Sequence, residues 1–351
     1  MAGGAGTRFW PKSREEKSKQ FLAILGKKSL IQSTLNRFKS IVQWEDIYIV
    51  AKRSQKNELE KHAPKVPPVN IIFEPIGKNT APCIGLAALF IQQRNPDGIM
   101  VVSPADHLVK QKARFYKTIM SAVQVAREKD GLVTIGIIPD RPSTGYGYIQ
   151  IDGEIQCAEG VKAFKIKTFA EKPNLATAQQ FINSGDFFWN SGLFIFKVSV
   201  FLRAVKEYLP DLYDGLMEIK RYIGKPKYET ILHQIYQQIQ NISFDYGVME
   251  KAKNVYLIKG EFVWNDLGNW EQVHKLSLKD KNGNVVSGHV VLLDTKNSYV
   301  SVSKGVIAVI GCENIVVVQE KGATLVCTRD KVEDVKLVVN CLQRQKLHKY
   351  I

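Results

Sequence analysis

The sequence predicts an α/β protein, with a mostly parallel sheet covered by helices on both faces and a small all-β unit with a closing helix behind it. Three observations predict it. Between residues 29 and 137, helix-period segments alternate with short apolar runs, the pattern of strands joined by crossover helices. Near residue 284 the helix signals stop and β-branched runs separated by Gly, Asn, Lys and Asp take over. At the front stands AGGAGTRFWPKSREEKSKQF, where Gly3, Gly4 and Gly6 are followed by Arg8, Lys12, Arg14, Lys17 and Lys19.

Taken in order, residues 29–38 place Leu30, Ile31, Leu35 and Phe38 on one side of a helix. Residues 47–50 read as a strand, 54–62 as a short polar helix, and 70–73 as a strand ending at Glu74-Pro75. Asn79 or Thr80 caps a helix to residue 93, with Pro82 in the first turn, where a missing N–H is tolerated. A buried strand at 99–103 leads into Pro104-Ala105-Asp106-His107, followed by a helix at 113–129 and a strand at 132–137. Ligands of such sheets bind beyond the carboxyl ends of strands. The loops at 3–21, 74–80 and 104–107 leave such ends and are expected to converge on one pocket.

In the middle, Thr144-Gly145-Tyr146-Gly147-Tyr148 leads into a strand, and 164–169 forms another, ending at Ala170-Glu171-Lys172-Pro173. A helix at 177–184 follows, then Trp189-Asn190-Ser191-Gly192 and an apolar strand at 193–196. Residues 208–239 read as mainly helical, 243–253 as a helix and 255–258 as a strand. An aromatic, glycine-bearing loop at 262–270 contains Asp266. The β unit carries strands at 284–293, 299–303, 305–310, 314–319 and 323–327, and 330–349 reads as an amphipathic helix. The polar turn Lys279-Asp280-Lys281-Asn282-Gly283 sets the expected domains at 1–280 and 284–351. A glycine loop of this kind normally follows a buried strand. A further strand of about five to eight residues is therefore expected ahead of Gly3, where only Met1 and Ala2 stand.

Composition narrows the function. The net charge is +15, which suits nucleic acid or phosphorylated metabolites. The charges are scattered and no basic, aromatic-interleaved segment stands out, so nucleic acid is not the expected partner. No apolar run approaches the ~20 residues of a membrane span, and no signal peptide is visible. The five cysteines, Cys83, Cys157, Cys312, Cys327 and Cys341, form no C-x-x-C pair, so neither a disulfide framework nor a zinc site is suggested and a reducing cytoplasm is expected.

The glycine loop carries the chemistry. Glycine permits positive φ and close approach of a ligand to backbone amides, and a run of amides makes an anion site. Donors followed by cations suit a polyphosphate. Gly6 is followed by Thr7-Arg8, not by the Gly-Lys-Ser/Thr of a P-loop, and the dinucleotide fingerprint is absent. By spacing alone, Asp106 and Asp266 read as turn or capping aspartates, Lys12 and Lys17 as surface charge, and Asn79-Thr80 equally as a helix cap or a ligand contact.

The ordered set Gly-Thr-Arg-Phe9-Trp10-Pro11, Lys19-Gln20-Phe21, Glu74-Pro75-x-x-x-Asn79-Thr80-Ala81-Pro82, Pro104-Ala105-Asp106-His107, Glu171-Lys172-Pro173, Trp189-Asn190-Ser191-Gly192 and Trp264-x-Asp266-x-Gly268 resembles the sugar-nucleotide pyrophosphorylases, in particular their mannose-1-phosphate guanylyltransferase branch. The resemblance implies a Rossmann-like catalytic domain and a left-handed β-helix-like C-terminal domain, without an isomerase domain. It implies GTP and mannose 1-phosphate as substrates, Mg²⁺ as cofactor and a homodimer. It assigns Arg8 and Lys19 as catalytic cations, and Gly3, Gly4, Gly6, Thr7, Glu74, Asn79 and Thr80 to the nucleotide. Gly145, Tyr146, Glu171, Lys172 and Asn190 go to the sugar phosphate, and Asp106 and Asp266 to the metal. Ser18 replaces the proline usual before the lysine and is expected to loosen the loop. Lys78 replaces an arginine and loses its bidentate fork. His107 is expected to make a structural hydrogen bond. Rival readings are a nucleotidyltransferase for another base or hexose, and a non-catalytic sensing subunit; the second should lack one of the four charged residues, and none is missing.

Overall fold

The computed structural model describes every residue except Ala5. Its first half alternates as expected: α1 (Leu30–Phe38), β1 (Ile49–Lys52), α2 (Lys56–His62), β2 (Ile71–Glu74), α3 (Thr80–Arg94), β3 (Ile99–Val102), the short β4 (Leu108–Val109), α4 (Lys112–Lys129) and β5 (Leu132–Ile137). Local chemistry sets the starts. Ser29 and Gln32 cap α1 reciprocally, each side chain bonding the other's backbone N–H. Asn79, at φ 71, accepts from the Thr80 N–H to open α3.

The chain continues through β6 (Gly147–Gln156), β7 (Lys162–Glu171), α5 (Leu175–Ser184), β8 (Phe187–Lys197), α6 (Val198–Tyr208), α7 (Pro210–Tyr222), α8 (Tyr228–Gln238), β9 (Val255–Gly260), β10 (Trp264–Asn265) and α9 (Trp270–Leu276). The main sheet has the order β3-β8-β5-β9-β7-β6, while β1 and β2 pair separately and in parallel. The class is α/β with a mixed sheet, but parallel pairing is scarcer than the alternation implies. Within the six-stranded sheet only β5–β9 is parallel, because β8 inserts antiparallel between β3 and β5. Trp189-Asn190-Ser191-Gly192 lies inside β8 instead of ahead of it. Residues 243–253 form no regular helix: a π-helical turn, Asp245–Met249, stands there.

The C-terminal part comprises β11 (Val285–Leu293), β12 (Tyr299–Ile310), β13 (Ile315–Glu320), β14 (Ala323–Thr328) and α10 (Val335–Arg344). The first three strands are parallel and β14 turns back. The expected break at residue 304 is absent; β12 runs through Gly305, whose φ of +83 absorbs the bend. The closing helix is shorter than its amphipathic pattern, with 3-10 turns at each end. This unit shares a core with the glycine loop: Phe9, Trp10, Leu22 and Trp270 pack with Tyr299, Val316, Leu325 and Val335. Trp10 Nε1 donates to the Tyr350 carbonyl (2.7 Å), and Trp270 Nε1 to the Trp10 carbonyl (3.2 Å).

A groove of about 530 Å³ separates the β1–β2 pair from the main sheet, lined by apolar side chains including Leu35, Ile49, Ile84, Ile99 and Val101. Met1 and Ala2 sit at one end. The Met1 ammonium donates to the Ser103 carbonyl (3.0 Å), Ala105 N–H to the Met1 carbonyl (3.0 Å), and Ala2 N–H to the Val50 carbonyl (2.8 Å). Those bonds have the spacing of a parallel ladder and join the β1 side to the end of β3. Among the described residues, no strand pairs with the facing edges of β1 and β3. An extended apolar segment in this register satisfies both edges and covers the lining. Adding five Val/Ile-rich residues ahead of Met1 is therefore expected to raise Tm, while five Ser/Gly residues leave it unchanged; thermal denaturation of the two variants measures the difference.

Candidate active site

Lys19 is the hub of the site. It is buried, and its Nζ donates to Asp106 Oδ2 (2.8 Å) and to the Asp266 carbonyl (2.5 Å). The turn before it is anchored: Ser18 is buried and its hydroxyl accepts from Gln55 Nε2 (2.9 Å), so the serine does not loosen the loop as expected. Gly6, at φ +66, lies directly against this lysine. A Cβ there would come within 2.3 Å of Lys19 Cβ, so glycine is needed for close approach as well as for its dihedral. Gly4 faces open space, and Gly3 lies near Glu74. Thr7 begins a short 3-10 turn and accepts the Trp10 N–H on its carbonyl.

Arg8 takes a different partner from Lys19. It is half-exposed and pairs with Glu333 (2.7 Å), on the turn that leads into α10. Lys12 is no free surface charge either: its ammonium lies 5.9 Å from the Trp270 ring centre.

Asp106 follows β3, as expected. Burial raises its pKa, but the Lys19 ammonium outweighs that and holds the carboxyl down at about 2, so it is ionised at neutral pH. Asp266 lies beyond β10, which pairs with β4, and its Oδ1 accepts from the Tyr146 hydroxyl (2.7 Å). The loop is shaped by Asn265, unmarked in the sequence analysis, whose side chain accepts the Leu267 N–H (2.7 Å) and donates to Gln272. Asp106, Asp266 and Lys19 thus meet from three distant segments. His107 accepts from Trp264 Nε1 (3.2 Å), the structural bond expected of it, and burial lowers its pKa, favouring the neutral ring.

Tyr146 links this cluster to a second one. Its ring packs edge-on against Trp189 (4.8 Å) and Trp264 (5.3 Å), and its carbonyl accepts the Lys172 N–H. Burial and the Asp266 charge raise the phenol pKa, so the hydroxyl remains a donor. Gly145 is exposed on the neighbouring turn. Glu171 ends β7 and pairs with Lys172 Nζ. Lys172 itself has φ 49, a left-handed conformation that is uncommon for a lysine and marks a constrained position. A Cβ on Gly147 would strike Glu171 Oε2 at 2.3 Å, so that glycine makes room for the carboxylate.

Asn190 Oδ1 accepts from Gly192 N–H (3.1 Å) and Thr134 Oγ1 (3.4 Å), and its Nδ2 donates to Asp245 Oδ1 (2.6 Å). Asp245 was legible only as the start of a helix. Thr80 Oγ1 accepts the Phe244 N–H (2.8 Å), so Asn79 and Thr80 act as a cap and dock the segment that carries Asp245.

Glu74 is buried beside the glycine loop, where it accepts from the Tyr236 hydroxyl (3.1 Å). Burial lifts its carboxyl to about 7, against the opposing pull of Tyr236, the Met1 ammonium and Lys52.

A glycine loop whose lysine is bonded to a strand-end carboxylate, beside a second cluster of carboxylates and an amide, fits a nucleotide-handling transferase class on this fold. The chain belongs to the nucleotidyl transferase family, which its residues 1–283 match, and residues 288–342 match the MannoseP isomerase/GMP-like beta-helix domain. A mannose-1-phosphate guanylyltransferase of Escherichia coli is 38% identical over 347 residues, covering 97% of this chain and 74% of that protein. One from Escherichia coli strain K12 is 36% identical, with 100% and 74% covered. A crystal structure from Thermus thermophilus, described as a mannose-1-phosphate geranyltransferase, superposes with a TM-score of 0.87 at 32% identity, covering 98% of each chain.

The state of Glu74 has a measurable sign. The folded protein holds its proton up to about pH 7, whereas the unfolded chain releases it near the ordinary carboxylate value. Stability therefore falls as pH rises between those values, by up to about 3 kcal/mol. Glu74→Gln is expected to remove that component and to gain stability over the parent at pH 8. Urea denaturation at pH 5 and pH 8 checks both.

Proposed function

We propose that the protein transfers GMP from GTP to α-D-mannose 1-phosphate, giving GDP-mannose and diphosphate. The observation that carries this reading is the meeting of Lys19, Asp106 and Asp266 beside the glycine loop, in a chain whose full-length relatives are named for that reaction. The catalytic unit is taken as 1–280 and the β unit as 284–351.

The sugar phosphate needs no general base. Its second pKa is near 6, so it is mostly a dianion at pH 7, and its oxygen attacks the α-phosphorus in line as diphosphate leaves. The protein's work is alignment and charge screening. Gly3, Gly4, Gly6 and Thr7 offer backbone donors to the triphosphate, while Lys19 and Arg8 supply positive charge at the α-phosphate and the leaving group. Glu74, Asn79 and Thr80 form the nucleoside side. Gly145, Tyr146, Glu171, Lys172 and Asn190 form the sugar-phosphate side, with Lys172 as the phosphate's counter-ion.

Among the described residues no group of three or more metal-ligating side chains exists. Mg²⁺ usually takes one or two carboxylates and completes its shell with phosphates and water. Asp106, ionised at neutral pH, and Asp266, oriented by Tyr146, are the two proposed ligands. Mg²⁺ held there supplies Lewis-acid neutralisation of phosphate oxygens.

No helix is long and apolar enough to cross a membrane, and all five cysteines are free thiols; a cytoplasmic location accords with the second fact. A homodimer is proposed through the β unit, where Leu293 and Ile310 are paired neighbours and both exposed, and where Val291 and Val306, on the same two strands, are exposed as well. Ile310→Asp is expected to leave a monomer by sedimentation if that face is the contact.

Diphosphate release with Mg²⁺ and mannose 1-phosphate is expected with GTP and not with ATP, UTP or dTTP. Release with another triphosphate overturns the base, and no release with any favours a sensing subunit. Asp266→Ala is expected to abolish turnover with the fold intact by circular dichroism; retained turnover removes Asp266 from the metal site.

A further inference from the structure

We infer that Asp245 reads a ring hydroxyl of the hexose 1-phosphate, and that Asn190 is a positioning residue which aims it. The inference rests on the sugar-nucleotide reading above and assigns a new residue to its sugar side.

Asn190 is engaged at both ends of its amide. Its Oδ1 takes the Gly192 N–H and the Thr134 hydroxyl, which fixes the amide's orientation and turns Nδ2 towards Asp245. The acceptor left to face a ligand therefore belongs to Asp245. Among the described residues no other side chain donates to its carboxylate.

The backbone around Asp245 is arranged for this. Phe244 is fully buried against Phe194, Phe196 and Phe201, and its N–H is held by Thr80. The chain then widens into a π-helical turn beginning at Asp245 itself. Such turns cost helical regularity and cluster at functional sites. Here the turn leaves Asp245 half-buried, with a side-chain bond on one oxygen and within electrostatic reach of Glu171 and Lys172.

The electrostatics agree. Burial, with the Glu171 charge adding to it, lifts the Asp245 carboxyl to about 6, and Lys172 and Asn190 pull it back. Two carboxylates that feel each other's charge, one of them paired with the single Lys172 ammonium, have acceptor capacity to spare, and that ammonium is the proposed phosphate partner. Hydroxyl donors of a sugar relieve the excess without adding charge.

The test uses the full chain and whichever hexose 1-phosphate the parent protein turns over. Failure of the parent on every sugar phosphate defeats the underlying reading and this inference with it, whereas the outcomes below bear on Asp245 alone. In Asp245→Asn, the new amide keeps the bond to Asn190 Nδ2 by turning its oxygen there, which points its NH₂ at the sugar and removes the acceptor at constant volume. The expected result is a fall of about 10- to 100-fold in kcat/KM for the sugar phosphate, with the KM for GTP within about two-fold.

The decisive readout is a panel of 2-, 3- and 4-deoxy sugar phosphates. The parent loses activity on the analogue lacking the recognised hydroxyl. Asp245→Asn should show no further loss on that analogue and the parent's penalties on the others. Equal penalties in parent and variant across the whole panel overturn the inference. So does a uniform loss that tracks a lowered Tm, which is the signature of a structural role. Should Asp245→Asn fail to fold, Asp245→Glu keeps the charge and moves the acceptor. It is expected to alter the same analogue's penalty selectively, and unaltered penalties overturn the inference.

Discussion

One buried ammonium holds the proposed phosphate side together. Lys19 reaches the Asp106 carboxylate, 87 residues away, and the Asp266 carbonyl, 247 residues away. Its charge overrides the desolvation of Asp106 and keeps that carboxylate ionised. Gly6 must then be glycine, because Lys19 occupies the space of a side chain there. Losing the lysine would strand a half-buried carboxylate, and adding a side chain at Gly6 would displace the lysine. The two positions form a single constraint.

The same loop is clamped from the other side. Phe9 and Trp10 are buried in a core shared with Trp270 and the β unit, and Arg14 donates to the Glu320 carbonyl (3.2 Å). A loop rich in glycine has a large conformational entropy to lose. Packing two aromatics immediately after the flexible part offsets that loss without placing side chains where a phosphate must approach. The β unit is thereby part of the architecture of the loop as well as a chain terminus.

The legible parts of the sequence were those governed by local chemistry. The capping box at Ser29, the cap at Asn79 and the strand ends before Asp106 and at Glu171 each follow from residues within a few positions. Parallel pairing was overestimated because β8 finds its place by tertiary pairing, and an apolar run carries no information about the direction of its neighbours. The π-helical turn at Asp245 was invisible for a similar reason. Its register depends on Phe244 fitting among three other phenylalanines and on the Thr80 hydroxyl, contacts that span up to 164 residues. Motif order pointed to Asn190, but that both ends of its amide are engaged within the protein is a property of the fold.

Charge strength separates the two proposed catalytic cations. Arg8 and Glu333 form a half-exposed pair, of a kind that contributes about 0–1 kcal/mol. Such a pair yields readily to a multiply charged phosphate, and Arg8 can exchange Glu333 for it at little cost. Lys19 cannot: its ammonium is buried, and leaving Asp106 unpaired costs several kcal/mol by order of magnitude. In the proposed reaction Lys19 is therefore the fixed cation, already paired in the structure, and Arg8 the recruitable one. The net charge of +15 acts at longer range than either and favours the approach of anions to the molecule as a whole, an effect that salt weakens. Fixed, recruitable and diffuse positive charge together meet the demand of bringing two phosphate-bearing anions into line, and none of the three requires a base.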